Sequence, residues 1–330
     1  MTERKDRKLL DQVRDLIRIK HYSPRTEKTY VQWMRRYILF HNKRHPVEMG
    51  QVEIEAYLSY LAQVRRVAAS TQNQALNAIL FLYREVLNID MDSLNINAVR
   101  AKRRVRMPTV LTQDEVVRVL SHMYGLPRLA IELMYGGGLR IQECLDLRVQ
   151  NIDIEDGSVV VVDSKSRRDR RTLLPKSIGP VMKKHLESVR FLHEQDLERG
   201  YGSVELPYAL GRKYKRACKE LCWQYAFPAK NLFHNKETGE RGRWHMDRGV
   251  LQRSIRSASR KAGIMKRVTS HVFRHSFATH MLENGHDIRT VQELLGHAMV
   301  KTTMIYTHVM KQNNREVASP LDELGVRDRL

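Results

Sequence analysis

Only one stretch of this chain alternates in the way a β-strand does, and that most restricts the fold. Ile152–Asp156, Ser158–Asp163 and Arg171–Leu174 are rich in strand-forming residues, and Asp156-Gly157 between the first two is a hairpin signal. Elsewhere, apolar residues that show a period show the helical one. Leu9, Leu10, Val13, Leu16 and Ile17 form one stripe within Arg4–Lys20. Ser23-Pro24 is an N-cap followed by proline at the first helical position. It opens a second helix carrying Tyr30, Trp33, Met34, Tyr37 and Ile38, which His45-Pro46 breaks. A third helix holds Ile54, Tyr57, Leu58 and Leu61, and a fourth runs from about Ser70 to Leu87 through Leu76, Ile79, Leu80 and Tyr83. Four amphipathic helices with short links make a helical domain over residues 1–94. The fold class is therefore mainly α with a small antiparallel β-sheet, in two domains.

Residues 95–108, NINAVRAKRRVRMP, have no amphipathic period and are read as a basic interdomain linker. Arg103, Arg104 and Arg106 in it are candidate phosphate contacts, a merely solvated linker being the alternative. Thr112-x-x-Glu115 is a capping box, so a second domain starts at residue 109. It runs to 311 and leaves 312–330 as a tail. The chain carries 58 Lys+Arg against 37 Asp+Glu, a net charge of +21 over 330 residues. The excess is shared: 21 against 11 through residue 107, a net of +10, and 37 against 26 beyond it, a net of +11. Two basic halves point to a polyanion, with nucleic acid first. The N-terminal MTERKDRKLL is too charged for a signal peptide, and the longest aliphatic run, Val159–Val162, is far too short for a bilayer. Three cysteines cannot all pair. A cytoplasmic protein without a membrane partner is expected.

Ser270–His308 is rich in histidine. His271 and Arg274 stand three apart and share a helix face. Gly296-His297 follows an amphipathic segment of Ile288, Val291, Leu294 and Leu295, and Tyr306 comes nine residues after His297. Imidazole, guanidinium and phenol with few carboxylates suit an anionic substrate better than a metal ion. Gly136-Gly137-Gly138-Leu139-Arg140 lies between two apolar helical segments. No Gly-Lys-Ser/Thr follows it, so it is no nucleotide cradle; a turn that brings Arg140 close to a ligand fits better. The loop Ser164–Arg170 joins the second and third strands and carries Lys165.

Arg140, Lys165, His271-x-x-Arg274, Leu-Leu-Gly-His297 and Tyr306, in that order, resemble the active-site set of the tyrosine recombinases, the phage integrase family. The helical N-terminal region resembles that family's core-binding, SAM-like domain. The resemblance implies two domains forming a clamp around DNA, and a site-specific recombinase that cuts and rejoins strands through a 3′-phosphotyrosine. Tyr306 would be the nucleophile. Arg140, Arg274, His271 and His297 would hold the non-bridging oxygens, and Glu143 would orient Arg140. Lys165 would protonate the departing 5′-hydroxyl. No cofactor, metal or ATP is implied. Where the family commonly has glycines beside this lysine, Ser164 and Ser166 stand, so Arg167 or Arg168 are substitutes for it and otherwise candidate DNA contacts.

Between the hairpin and His271 lies an insertion at about 200–247. It reads as a basic helix (Arg212, Lys213, Lys215, Arg216, Lys219) followed by CWQYAFPAKNLFHNKETGERGRWH. Aromatics interleaved with cations suit stacking on unpaired bases while the backbone is held. This insertion, and THMLENGHDIRTVQELLGH, resemble the integron integrases. That implies insertion and excision of gene cassettes at integron attachment sites, one of them a folded single-stranded hairpin, by a homotetramer on DNA in a bacterial nucleoid. Trp223, Trp244 and His245 would contact bases, with Lys215 and Lys219 on the backbone. Several alternatives stay open. Trp223 and Phe227 could form a small core. Cys218-x-x-x-Cys222, on one helix face, could bind zinc with His234 and His245. The protein could be a phage-type integrase or a chromosome-resolving recombinase acting on duplex sites. It could also be a type IB topoisomerase, or a DNA-binding protein with a vestigial site. The amphipathic tail piece Ser319–Val326 is expected to dock on a neighbouring protomer or in cis.

Overall fold

The computed structural model describes residues 7–89, 107–162, 169–207, 210–214, 216–234, 239 and 241–312. Arg103, Arg104, Arg106, Lys165, Arg167, Arg168, Lys215 and Ser319–Val326 lie outside these residues. The described residues fall into two compact units, divided between Arg106 and Met107.

The first unit is helical: α1 (Leu9–Ile19), α2 (Pro24–Phe40), α3 (Gln51–Gln63) and α4 (Ala69–Phe81). Ser23 caps α2 as its sequence predicts, its hydroxyl accepting the Thr26 N–H at 3.2 Å. The predicted stripes are buried in two clusters. Val13, Ile17 and Met34 pack with Phe81 and Leu82, while Tyr37, Ile54, Tyr57 and Ile79 pack with Tyr83. The helix expected to reach Leu87 instead widens into a π-turn over Leu82–Val86. The adjacent Leu82 and Tyr83 go to different clusters. The buried Tyr37 and Tyr83 hydroxyls pair at 2.9 Å, and Tyr83 donates to the Met49 carbonyl at 3.2 Å.

The second unit opens with α5 (Gln113–Ser121), where the Thr112–Glu115 capping box forms in both directions at 3.2 and 2.8 Å. Helices α6 (Gly125–Gly137) and α7 (Ile141–Asp146) follow. Strands β1 (Ile152–Asp153), β2 (Ser158–Val161) and β3 (Arg170–Leu173) form an antiparallel sheet in the order β1-β2-β3, with Val159 opposite Thr172. Strand β1 ends three residues earlier than expected because Asp153 turns back to accept the Asp156 N–H at 2.9 Å. After α8 (Gly179–Glu198) comes the insertion, then α10 (Arg248–Lys261), α11 (Ser270–Glu283), α12 (Ile288–Leu295) and α13 (Val300–Gln312). The main core packs Val159 and Val161 of the sheet against Leu133 of α6, Leu145 of α7, Ile255 of α10 and Phe273 of α11. Phe277, Leu282, Val291, Leu295 and Tyr306 join α11, α12 and α13 in a second cluster.

The insertion corrects one expectation. Its basic run is not one helix: α9 covers only Leu210–Lys213, and Ala217–Lys219 and Leu221–Trp223 are separate 3₁₀ turns. The carbonyls a helix would need are taken from elsewhere. Cys218 accepts the Val204 N–H at 2.9 Å and the Gln224 amide at 3.2 Å, and Glu220 also accepts from Gln224. Cys218 and Cys222 therefore share no helix face. A short pair, β4 (Phe233–His234) with β5 (Arg241–Gly242), follows. Phe227 enters the main core, whereas Trp223 packs half-buried on a satellite cluster of Val204, Leu206 and Tyr225. Arg243 ties the insertion to α8 through a pair with Asp196, 2 % exposed, at 2.5 and 3.0 Å. Among the described residues no helix is long and apolar enough to cross a membrane.

Candidate active site

The site begins where α6 stops. Gly138 ends that helix in the left-handed conformation, φ 64°, and a Cβ there would stand 2.6 Å from the Phe277 ring. Both facts select glycine. The turn sets Arg140 just ahead of α7, where Glu143 accepts its backbone N–H at 2.7 Å and its guanidinium at 2.5 Å.

Glu143 also holds Arg170, at the start of β3, through both oxygens at 2.6 and 3.1 Å, and lies 3.5 Å from Arg274 on α11. Arg170 further donates to the Leu294 carbonyl at 2.9 Å. Arg274 donates to the Gly138 and Leu295 carbonyls, each at 2.7 Å. Three guanidiniums thus converge on one carboxylate. The Arg170 and Arg274 side chains are 9 % and 4 % exposed and that of Arg140 is 37 %, so Arg140 is the most open of the three.

The electrostatics follow from this crowding. Burial pushes the Glu143 carboxyl up, but hydrogen bonding from Arg170 and its charge, with the Arg140 N–H and the Arg274 charge, hold it below its ordinary value. Burial and the neighbouring Arg140 lower Arg274 to about 10, which leaves it charged at neutral pH. Burial and then the Arg274 and Arg140 charges bring His297 down to about 4. His271 is lowered by what burial it has, then by Arg274, Arg248 and Arg140. Tyr306 is 3 % exposed; burial raises its phenol, while Arg274 and Arg140 pull it down. The result is a cationic field with neutral imidazoles at its edge, a place for an anion.

Of the expected catalytic residues, Arg140, His271, Arg274, His297 and Tyr306 are brought together, with Glu143 beneath them. His297 stacks on Tyr306 at 6.3 Å between ring centroids, and its Nδ1 lies 3.0 Å from the Thr303 hydroxyl. Three participants escaped the sequence. His275 has its Nδ1 3.0 Å from the Tyr306 hydroxyl. It stands four residues after His271 on the same face of α11, and that spacing was the available signal. Arg170, expected in the loop before the third strand, is the first residue of β3. Strand alternation would have put it on the inward face with Thr172, which is 2 % exposed. Arg248 begins α10; its Nε is buried without a hydrogen-bond partner and its charge reaches His271. Nothing local in the sequence marks it.

In the insertion, Trp244 and His245 come together with Tyr225 and Phe233 as an aromatic ledge, with ring centroids 5.3–5.8 Å apart. The Arg148 guanidinium lies 3.7 Å from the centroid of the Tyr225 ring and donates to the Trp223 carbonyl at 2.9 Å. His245 Nε2 is 3.6 Å from Asp146. Lys219 is exposed, and its carbonyl is held by His193 at 2.9 Å. Among the described residues, no three His, Cys, Asp or Glu side chains are grouped to hold a metal.

Comparison with known proteins identifies the family. The model of the phage integrase family matches residues 109–313, and that of the phage integrase N-terminal SAM-like domain matches 9–93. An integrase/recombinase of Escherichia coli is 46% identical over 318 residues, 96% of this chain and 94% of its own. The tyrosine recombinase XerA of Thermococcus kodakarensis is 30% identical over 300 residues, 89% of this chain and 88% of its own. The solved structure of the Tn1549 transposon integrase with transposon right end DNA has the same fold. Its TM-score is 0.63 at 14% identity, over 98% of this chain and 99% of that one.

Proposed function

The chain belongs to the phage integrase family and is a tyrosine site-specific recombinase; from that premise we propose that it inserts and excises gene cassettes at integron attachment sites, one of them a folded single-stranded hairpin. In this reading Tyr306 attacks the scissile phosphate and conserves its energy as a 3′-phosphotyrosine. Arg140 and Arg274 take the non-bridging oxygens, with His271 and His297 beside them. Glu143 fixes the arginines and Lys165 protonates the leaving 5′-hydroxyl. The observation that supports this chemistry is the convergence of three guanidiniums on Glu143, with one of them, Arg140, left open beside a buried phenol. Residues 1–94 act as the core-binding domain, 95–108 as a basic linker along phosphates, and 312–330 as contacts within a tetramer. The Phe233, Trp244 and His245 part of the ledge supports recognition of extrahelical bases, because aromatic faces stack on any base.

A second reading is recombination at duplex sites alone. One observation favours it: the half-buried packing of Trp223 and Trp244 on the satellite cluster. One experiment separates the readings. Hairpin and duplex sites are recovered from randomised DNA pools by binding, then incubated with the protein in EDTA, and adducts are resolved on a denaturing gel. A covalent adduct from the parent chain and none from Tyr306→Phe is expected. Trp223→Ala and Trp244→Ala should each cost about 1–3 kcal/mol of hairpin affinity and leave duplex affinity unchanged. Equal losses on both substrates favour the duplex reading.

A further inference from the structure

Tyr306 is a nucleophile with its hydroxyl already occupied. The phenol is 3 % exposed and its oxygen lies 3.0 Å from His275 Nδ1, while its ring stacks on His297. His275 is next in sequence to Arg274, whose guanidinium is locked to the Gly138 and Leu295 carbonyls, so the imidazole is fixed on α11. Its ring also stacks on that of His271 at 6.4 Å. We propose that His275, rather than His271, is the catalytic group that holds the Tyr306 hydroxyl and takes its proton as the phenol oxygen attacks phosphorus. This rests on the reading of Tyr306 as nucleophile.

The imidazole is suited to wait. Burial, then the charges of His271 and Arg274, lower it to about 4, so at neutral pH it carries no proton on one ring nitrogen. The free nitrogen can accept the phenol's O–H. Burial keeps His275 proton-free first and the Arg274 charge adds to it; an incoming phosphate offsets that charge, so the proton affinity of His275 rises once substrate is seated. The step then balances. The Tyr306 oxygen–phosphorus bond forms as the phosphorus–5′-oxygen bond breaks; the phenol proton passes to Nδ1, and the leaving oxygen is protonated by the general acid. In rejoining, the 5′-hydroxyl attacks phosphorus and gives its proton back to the deprotonated general acid, the phosphorus–Tyr306 oxygen bond breaks, and His275 returns its proton to the phenolate.

The test uses the full chain on a duplex site recovered from a randomised pool by binding. The scissile phosphate carries either its normal 5′-oxygen or a bridging 5′-sulfur, a leaving group that needs no acid. His275→Asn puts an amide oxygen near the Nδ1 position but cannot take a proton. We expect DNA binding and thermal melting like the parent's, and single-turnover adduct formation slowed about 10²–10⁴-fold on both substrates. His275→Gln serves if the Asn variant melts early. An unchanged rate, or a rate restored by sulfur, overturns the proposal, the latter because His275 would then act on the leaving group. An adduct from Tyr306→Phe overturns the nucleophile itself and is told apart by that variant alone.

Discussion

His275 and His297 are both buried and close to guanidiniums, and both are lowered to about 4. An unfolded histidine titrates near 6.5. Between those values the unfolded chain takes up protons that the folded one refuses, so this stability is complete above about pH 6.5 and declines as the pH falls. Glu143 acts further down. Its folded value is depressed, so its contribution is present above the unfolded value of about 4.3 and is lost as the pH falls through the lower folded one. Thermal melting followed from pH 7.5 to 5 should therefore show a falling midpoint. His297→Asn should reduce the slope by about one proton, about 1.4 kcal/mol per pH unit. A parent midpoint that stays flat over this range contradicts the burial of these imidazoles beside the arginines.

At the level of elements, the α6–α7 junction carries most of the geometry. Gly138→Ala forces a side chain into left-handed backbone, at about 1–2 kcal/mol, and against the Phe277 ring, where overpacking costs about 1–3 kcal/mol. The same peptide carbonyl anchors Arg274. Chemical denaturation of the variant should show a loss of about 2–5 kcal/mol, together with slowed adduct formation; a fully stable and active variant would mean the ring moves aside freely. Elements governed by their own residues were legible in advance: the Ser23 cap, the Thr112–Glu115 box, the Asp156-Gly157 turn, and the spacing that puts His271 and Arg274 on one helix. Elements governed by distant partners were not. The basic run after Leu210 fails as a helix because Val204 and Gln224 take its carbonyls. Strand alternation and helix spacing mark the faces of Arg170 and His275, but their roles depend on α7 and α13, which no local pattern brings near.

On the scale of the whole molecule, the charge of +21 is shared by both halves of the chain. If each half lies along DNA, the number of neutralised phosphates sets the salt dependence. For six to ten such contacts, affinity should fall about 10³–10⁵-fold between 50 and 200 mM salt. Filter binding across a KCl series measures it, and a shallow slope would show that much of the charge stays in solvent. The Glu143 cluster has a consequence of another kind. Its partners come from 3, 27 and 131 residues away, so it is complete only once contacts distant in sequence have formed. A chain short of that point already owns Tyr306, yet lacks the frame of cations that would make that phenol dangerous to the genome. The ability to break DNA thus arrives with the last long-range contact, and correct folding is itself the safety interlock on the enzyme.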